Sequence, residues 1–365
     1  MSEDGKARQI VPYERKGSRR QVFLAVFWWL YMALCFACVS AALLGSLFAG
    51  EWLSSVVSLT LFLVCLYLFS GYLVLSPVIF YSVRLLSRGR LHEAEKVLNR
   101  GLNTVRRLGL RKDWSYMTAV SNLAVVKLAS GQFAESELIY GELMERLGRD
   151  KKMAKNALSA IYVNNLAYAH LRQGELEEAE ANSLKALEIW SKLKGNESLG
   201  QAFPLVNLAE IDILCGSFNA AESKLERALA FVHGSGRPLA VMEESFQSLD
   251  IHIRLFQAII CLETGRREEA LRLTDSVLSS MQQVFKPPAG YNLTSLARLA
   301  ELLLQAGDEA YAERVLEHAY DQARDFPTHP DAPHILEIYE RLLTASKRLH
   351  ELPDLKAWVR PVLLS

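Results

Sequence analysis

The stretch that decides the fold is NNLAYAHLRQGELEEAEANSLKALEI, residues 164–189. Apolar side chains recur at helical spacing on both sides of Gly174, which predicts two amphipathic helices joined by a tight turn. A doubled asparagine, Asn164 and Asn165, stands near the beginning of the first helix. Such a hairpin is either an isolated unit or one copy of a repeat, and the rest of the sequence decides between the two.

The hairpin recurs along the chain at a nearly constant interval. Its glycine opens six similar segments: GRLHEAE at Gly89, GQFAESE at Gly131, GELEEAE at Gly174, GSFNAAE at Gly216, GRREEAL at Gly265 and GDEAYAE at Gly307. The intervals are 42, 43, 42, 49 and 42 residues, and a fixed period of this size is typical of stacked helical repeats. A small residue that allows close helix packing follows each glycine by five positions: Ala94, Ser136, Ala179, Ala221, Ala270 and Ala312.

These residues carry a family resemblance. NNLA…QG…EAE…ALEI, residues 164–189, and the linker THPDAPH, residues 328–334, resemble tetratricopeptide repeat (TPR) proteins, specifically the 42-residue variety of kinesin light chain. The resemblance covers residues 84–350, about six repeats, and implies an all-α fold, a TPR-type α-solenoid in which helical hairpins form a right-handed superhelix. Residues 334–361 are roughly in phase as a degraded seventh unit, and we assign residues 351–365 as the C-terminal cap.

The N-terminal part of the chain is apolar. Residues 22–83 contain one charged residue, Glu51, between two apolar runs, and each run exceeds the roughly 20 residues that cross a bilayer core. Basic residues flank both outer ends, and positive flanks are retained on the cytoplasmic side. The sequence therefore predicts a basic cytoplasmic tail over 1–21 and a hairpin of two transmembrane helices over 22–83. It predicts an integral membrane protein with both termini in the cytoplasm, whose first repeat helix begins at Pro77.

Several classes of function are disfavoured by what the sequence holds. Residues 113–365 carry more acidic than basic residues, whereas a nucleic-acid-binding surface needs clustered Lys and Arg. His92 and Glu93 are followed by Lys96 where the zinc motif HExxH needs a second histidine. Phosphate-binding glycine loops and Ser/His/Asp arrangements are also absent from the sequence. We therefore predict no catalytic residues, no metal site, no cofactor, no nucleic acid partner and no enzymatic activity.

The first helices of the repeats hold the candidate binding residues. Asparagine recurs at one position of three repeats, as Asn122, Asn165 and Asn207. The lysines and arginine with which chaperone-cofactor TPR domains clamp a terminal carboxylate are missing here, so we do not expect that ligand. The resemblance to kinesin light chain implies that the asparagine amides bond the backbone of an extended peptide. Alternatively, they bond one another or the next helix. The candidate peptide-binding residues are Asn122, Asn164, Asn165, Tyr168, Arg172, Asn207 and Glu210.

These observations predict a membrane-anchored TPR scaffold or adaptor that binds a protein or peptide partner at the cytoplasmic face of a membrane. Two alternatives stay open. The chain is an accessory or assembly subunit of a larger membrane protein complex, in which small residues of the first span such as Cys35 and Ala41 pack on other helices. Otherwise, it is a ligand-sensing regulator of a membrane enzyme.

Overall fold

The computed structural model describes residues 41, 45, 48, 52–86, 88–110, 114–148, 157–193, 199–234, 243–283, 292–325, 329–348 and 350. The chain divides into two compact units, Met1–Leu66 with Arg237–Glu243 and Tyr67–Gly236 with Glu244–Ser365. The described residues contain helices and turns and no strand. The predicted basic tail, almost all of the first predicted span and the predicted C-terminal cap lie outside them.

The described helices follow one another as the repeat predicts. In chain order they are α1 (Trp52–Leu86), α2 (Leu91–Arg107), α3 (Trp114–Ala129), α4 (Phe133–Gly148), α5 (Ala157–Gln173), α6 (Leu176–Lys192), α7 (Ala202–Leu214), α8 (Phe218–Gly234), α9 (Glu243–Glu263), α10 (Arg267–Gln283), α11 (Leu293–Gln305), α12 (Glu309–Asp325) and α13 (Ala332–Ala345). A short 3-10 helix, Leu199–Gln201, precedes α7. The all-α hairpin array predicted from the sequence is therefore present.

The turn within each hairpin is closed by a glycine in the left-handed conformation. Gly174 has φ +80°, and the backbone N–H of Glu175 donates to the carbonyl of His170 at 3.0 Å. This bond satisfies a carbonyl that the end of α5 would otherwise leave free. The conformation is strained for residues with a Cβ, which explains why the glycine recurs. The other five hairpin glycines have φ between +71° and +77°: Gly89, Gly131, Gly216, Gly265 and Gly307.

A seventh turn follows α13, where the sequence has no glycine. Lys347 has φ +59°, and the N–H of Arg348 donates to the carbonyl of Leu343 at 2.7 Å. Lys347 therefore takes the place that Gly307 has in the preceding hairpin. Helix α13 and this turn form the first half of the seventh unit, which the sequence shows only in degraded form.

The small residue of each second helix is fully buried against the first helix. All six predicted positions are completely shielded from solvent, from Ala94 to Ala312. At the one serine among them, Ser136 Oγ donates to the carbonyl of Ala124 in α3 at 2.9 Å. The hydrophobic side chains of α7 to α13 form one continuous core cluster, and separate clusters join α1 to α3 and α3 to α5. Stacked hairpins therefore build the core that no single hairpin could supply.

Helix α1 differs from the prediction at Pro77. The sequence places a helix start at this proline, but Pro77 lies inside the continuous helix Trp52–Leu86. An internal proline leaves one carbonyl without its helical N–H and costs about 3 kcal/mol. Packing on both sides of the proline offsets this cost, because Leu75 and Val78 lie so close to Gly101 of α2 that a Cβ there would be 2.9 Å from Val78.

The predicted transmembrane hairpin has no support in the structure. Within the part of the chain that the structure describes, no helix is both long and apolar enough to cross a membrane. The two predicted spans therefore remain a prediction from the sequence.

Candidate functional site

The three repeated asparagines lie on the first helices α3, α5 and α7. Asn207 Nδ2 donates to Asn164 Oδ1 at 3.2 Å, and both side chains are buried. Asn165 Nδ2 donates to the hydroxyl of Tyr140 in α4 at 2.8 Å. Asn122 Nδ2 is buried and has no hydrogen-bond acceptor among the described residues. Asn165 and Asn207 therefore bond neighbouring helices, whereas Asn122 keeps an unused donor.

A buried ion pair links α5 to α7. Arg172 Nη2 donates to Glu210 Oε1, and the two side chains are only 7% and 8% exposed. The guanidinium also lies over the ring of Tyr168, 5.1 Å from its centroid, a favourable cation–π arrangement. Burial alone lowers the pKa of Arg172, but the Glu210 carboxylate outweighs it and the pKa is raised overall. Arg172 Nε is buried without an acceptor in the described part of the chain, so this fixed positive charge also keeps an unused donor.

Further polar side chains lie on the first helices of the next two hairpins, α9 and α11. The ring of His252 lies 4.5 Å from that of Phe256, and its Nε2 is 3.3 Å from Ser295 Oγ. Burial lowers the pKa of His252 to about 4, while Glu210 opposes and Arg172 reinforces the shift. His252 is therefore neutral at pH 7. In α11, Thr294 Oγ1 donates to the carboxylate of Asp331, at the beginning of α13.

The segment before α13 lies against the turn between α3 and α4. The imidazole of His329 meets the ring of Phe133 edge-on, with centroids 6.1 Å apart and an interplanar angle of 85°. Pro330 Cδ lies 2.1 Å from the position that a Cβ on Gly131 would take, so only glycine fits there. His329 is buried, and this burial lowers its pKa, although Asp331 acts in the opposite direction.

The structure brings five of the seven predicted residues together on α5 and α7: Asn164, Tyr168, Arg172, Asn207 and Glu210. Asn122 and Asn165 lie apart from this group, each in its own surroundings. Whether the seven residues bind a peptide remains a prediction.

His252, Thr294 and Asp331 were not identified from the sequence as polar residues near the candidate site. His252 and Thr294 each stand thirteen residues before the hairpin glycine of their own repeat. The repeat phase therefore places them on one face of the first helices, and this shared phase is the signal that could have found them.

Within the described residues, one cluster of potential metal ligands lies outside this group. Donor atoms of Glu137, His170 and Glu175 are within 4.8 Å of one another. However, His170 Nδ1 is paired with Glu175 Oε2 at 2.5 Å, and Gln173 Nε2 donates to Glu137 Oε2 at 2.8 Å. Ordinary pairing therefore accounts for all three side chains.

Known protein families match the sequence of the same helices. The tetratricopeptide repeat family matches residues 158–232, and a second tetratricopeptide repeat profile matches residues 251–276. These two segments of the chain match tetratricopeptide repeats. The first match spans the TPR helices that carry Arg172 and Glu210. The second spans parts of α9 and α10, including His252.

Solved structures with similar TPR folds include proteins named for kinesin light chain. BtubC (BKLC) from P. vanneervenii is 19% identical with a TM-score of 0.44, and the match covers 64% of this chain and 90% of that one. The nearly identical TPR-like repeats of a kinesin light chain from P. anserina are 19% identical with a TM-score of 0.42, over 57% of this chain and 95% of that one. A tetratricopeptide repeat protein from Parabacteroides merdae is 15% identical with a TM-score of 0.39, over 79% and 99%. No curated protein matches the sequence.

Proposed function

We propose that this TPR chain is a non-enzymatic scaffold that captures a protein or peptide partner on the face formed by its first helices. The observation that carries the proposal is that two buried nitrogen donors on first helices, Asn122 Nδ2 on α3 and Arg172 Nε on α5, have no acceptor among the described residues. Leaving a buried donor unpaired costs about 1–3 kcal/mol. A carbonyl or carboxylate of a bound peptide would recover this free energy, so the face is suited to such a ligand.

Asn122 allows this proposal to be tested without disturbing the fold. Asn122→Ala removes the unused donor and breaks no described hydrogen bond, so we expect partner capture from a detergent extract to fall while the melting temperature stays the same or rises. Asn182→Ala on α6 is the matched control, since the described hydrogen bond of its amide goes to the carbonyl of Glu178 in its own helix. Undiminished capture by Asn122→Ala, at wild-type expression, would contradict the proposal.

We further propose that residues 22–83 anchor the scaffold at the cytoplasmic face of a membrane. Support comes from the large apolar side chains that α1 exposes over a wide arc, between 45% and 53% exposed: Val56, Val57, Leu59, Leu63 and Val64. Soluble monomers rarely present contiguous apolar surface of this kind. The basic residues that flank the apolar segment would keep both termini cytoplasmic.

The predicted topology has its own test. A cysteine introduced by Ser365→Cys should react with a thiol reagent applied from the cytoplasmic side. Protection of this cysteine from such a reagent, with reaction from the opposite side, would overturn the assignment of the C-terminus.

A second candidate function is that of an accessory or assembly subunit within a membrane protein complex. The same exposed apolar arc of α1 favours it, because the arc could pack on another protein's helices as well as on lipid. Leu63→Ala combined with Val64→Ala distinguishes the two functions. A scaffold should keep its partners in detergent, whereas a subunit held through α1 should lose them.

A further inference from the structure

Helix α2 exposes a row of cations, which we call the α2 basic row: Lys96, Arg100 and Arg107. These residues follow one another at intervals of four and seven positions, the spacing that places side chains on one face of a helix. All three residues are exposed, and none of them forms an ion pair or a side-chain hydrogen bond with another described residue. The row is about 16 Å long, at 1.5 Å per residue.

The acidic residues of α2 do not neutralise the α2 basic row. Glu93 pairs with Arg90, just before the helix begins, and Glu95 pairs with Lys127 of α3 at 2.7 Å. Over residues 84–112 the sequence holds nine basic and two acidic residues. Because a surface of one charge sign attracts partners of the opposite sign, the α2 basic row is suited to an anionic partner.

Packing places one end of the α2 basic row beside the apolar part of α1. The turn between the two helices sends α2 back along α1, so that Gly101 lies against Leu75 and Val78. Arg107 is six residues beyond Gly101, which is about 9 Å along the helix and level with residues 70–71 of α1. The charged end of α2 therefore lies beside the point where α1 continues towards its apolar beginning.

This position determines where the surface of a bilayer around α1 would lie. Arginine is excluded from the hydrocarbon core unless it has a partner there, so the core would end near residue 70, level with Arg107. Residues 52–70 are 19 residues without a charge, which is within the range of about 17–25 residues for a transmembrane helix. Leu108, directly after α2, is 64% exposed and would lie at the same level, where an apolar side chain is favoured.

We infer that the α2 basic row binds the headgroup phosphates of anionic phospholipids at the membrane surface. The inference rests on the proposed membrane anchor, because it names the lipid chemistry that holds the first hairpin against the bilayer. Lysine and arginine side chains next to a membrane helix are attracted to the anionic lipids of the cytoplasmic leaflet. The apolar part of α1 anchors the chain, and the α2 basic row selects the lipid around it.

Distance from the membrane predicts a different contribution from each cation. The headgroup layer is about 5–7 Å thick on each side of the hydrocarbon core, and attraction beyond it is screened over about 8 Å at physiological salt. Arg107 lies at the edge of the core, Arg100 about 10 Å further along the helix and Lys96 about 16 Å. Arg107 and Arg100 therefore reach the phosphates, whereas Lys96 lies at the limit of the attraction.

The test uses the full chain in nonionic detergent with equal amounts of phosphatidylglycerol and phosphatidylcholine that have the same acyl chains. Native mass spectrometry counts the lipids that stay bound. Wild type should retain at least five times more phosphatidylglycerol than phosphatidylcholine, at about 1 kcal/mol per cation near the surface, and about 0.5 M sodium chloride should weaken this preference. Arg100→Gln combined with Arg107→Gln should bring the ratio close to one, whereas Lys96→Gln should leave it within twofold of wild type.

The matched control is Arg227→Gln combined with Arg272→Gln. These arginines are exposed on the second helices α8 and α10, and neither forms an ion pair with a described residue, so this variant should keep the wild-type ratio. The melting temperatures of all variants should stay close to that of wild type, because each substituted side chain is exposed.

A wild-type ratio near one overturns the inference whether or not the variants fold. An equal loss in Lys96→Gln and Arg107→Gln also overturns it, because a partner that lies along the whole row, such as an acidic protein, would give that result. The variant Arg100→Gln with Arg107→Gln should still capture its partner and resist carbonate extraction as wild type does. The lipid preference is measured in detergent, so it can fail while the anchor and the scaffold function stand, and the reverse.

Discussion

Arg172 and Glu210 carry opposite charges in a place that water hardly reaches. A buried ion pair contributes little net stability, but removing one partner strands the other charge and costs about 3–5 kcal/mol. We expect Arg172→Met to lower the free energy of unfolding by that amount. The double variant with Glu210→Leu should cost less than Arg172→Met alone, as measured by urea unfolding. Lys192→Met, which breaks the exposed pair with Glu188, should change stability by less than about 1 kcal/mol. Additive losses in the double variant would mean that the pair is not coupled.

His252 gives the array a dependence on pH. Its pKa falls from 6.5 to about 4 on folding because burial disfavours the imidazolium. The unfolded chain therefore binds more protons, and stability is lost as the pH falls from 6.5 towards 4. This shift predicts a loss on the order of 1 kcal/mol between pH 7.5 and 5.5. His252→Gln should reduce the loss, and exposed His92→Gln should not. His329, whose pKa is also lowered, should preserve part of the dependence of stability on pH in this variant. A slope unchanged by His252→Gln would refute the assignment.

Lys347 occupies the left-handed conformation that the six hairpin glycines hold elsewhere in the array. The strain of a side chain there costs about 1–2 kcal/mol, partly offset by the greater freedom of glycine in the unfolded chain. Lys347→Gly should therefore stabilise the protein by about 0.5–1 kcal/mol in thermal or urea unfolding. Lys185→Gly, on the exposed face of α6, should destabilise it by about 1 kcal/mol. Destabilisation by Lys347→Gly would mean that the seventh turn is not of this type.

At the scale of the helix, packing between the two helices of a hairpin depends on one small residue. Ala221 of α8 is fully buried in the core that it shares with α7, whereas its neighbour Ala220 is exposed. Added side-chain volume in a packed core typically costs about 1–3 kcal/mol. We expect Ala221→Leu to lower the free energy of unfolding by at least that amount and Ala220→Leu to leave it within about 0.5 kcal/mol. Equal effects at the two positions would show that the small residue is not needed for helix packing.

The sequence predicts these hairpins well because each one is specified locally. Glycine conformation, a small residue five positions later and helical periodicity all act within about 40 residues, which is one repeat period. The sequence predicts the seventh turn only in part, because Lys347 stands where a glycine marks the turn in the other hairpins. Pro77 was misplaced for the opposite reason. Its local preference for a helix start is overridden by the packing of Leu75 and Val78 against Gly101 of α2.

At the scale of the whole chain, the candidate site was predictable in part. Repeat phase places asparagines and Arg172 on the first helices, because equivalent positions share a face. The repeat phase does not predict the hydrogen-bond partners of these side chains. In the structure, Asn165 donates to Tyr140 and Asn207 donates to Asn164. The contact between Pro330 and Gly131 could not be predicted from the sequence, because the repeat period predicts contacts between neighbouring units and not between residues 199 positions apart.

The proposed membrane anchor can be tested in the full chain through the apolar side chains that α1 exposes. Leu63 and Val64 lie near the middle of the second predicted span and are 53% and 48% exposed. An arginine at the centre of a membrane helix costs about 2.5–3.5 kcal/mol. We therefore expect Leu63→Arg combined with Val64→Arg to move part of the protein from the carbonate-resistant membrane fraction to the supernatant, because only the first predicted span is then left to hold it. Leu138→Arg is the matched control, because Leu138 is 70% exposed on the repeat helix α4 and should leave the distribution unchanged. If the double variant stays with the membrane as wild type does, residues 52–76 do not anchor the chain, and the exposed arc of α1 then belongs to contacts with another protein.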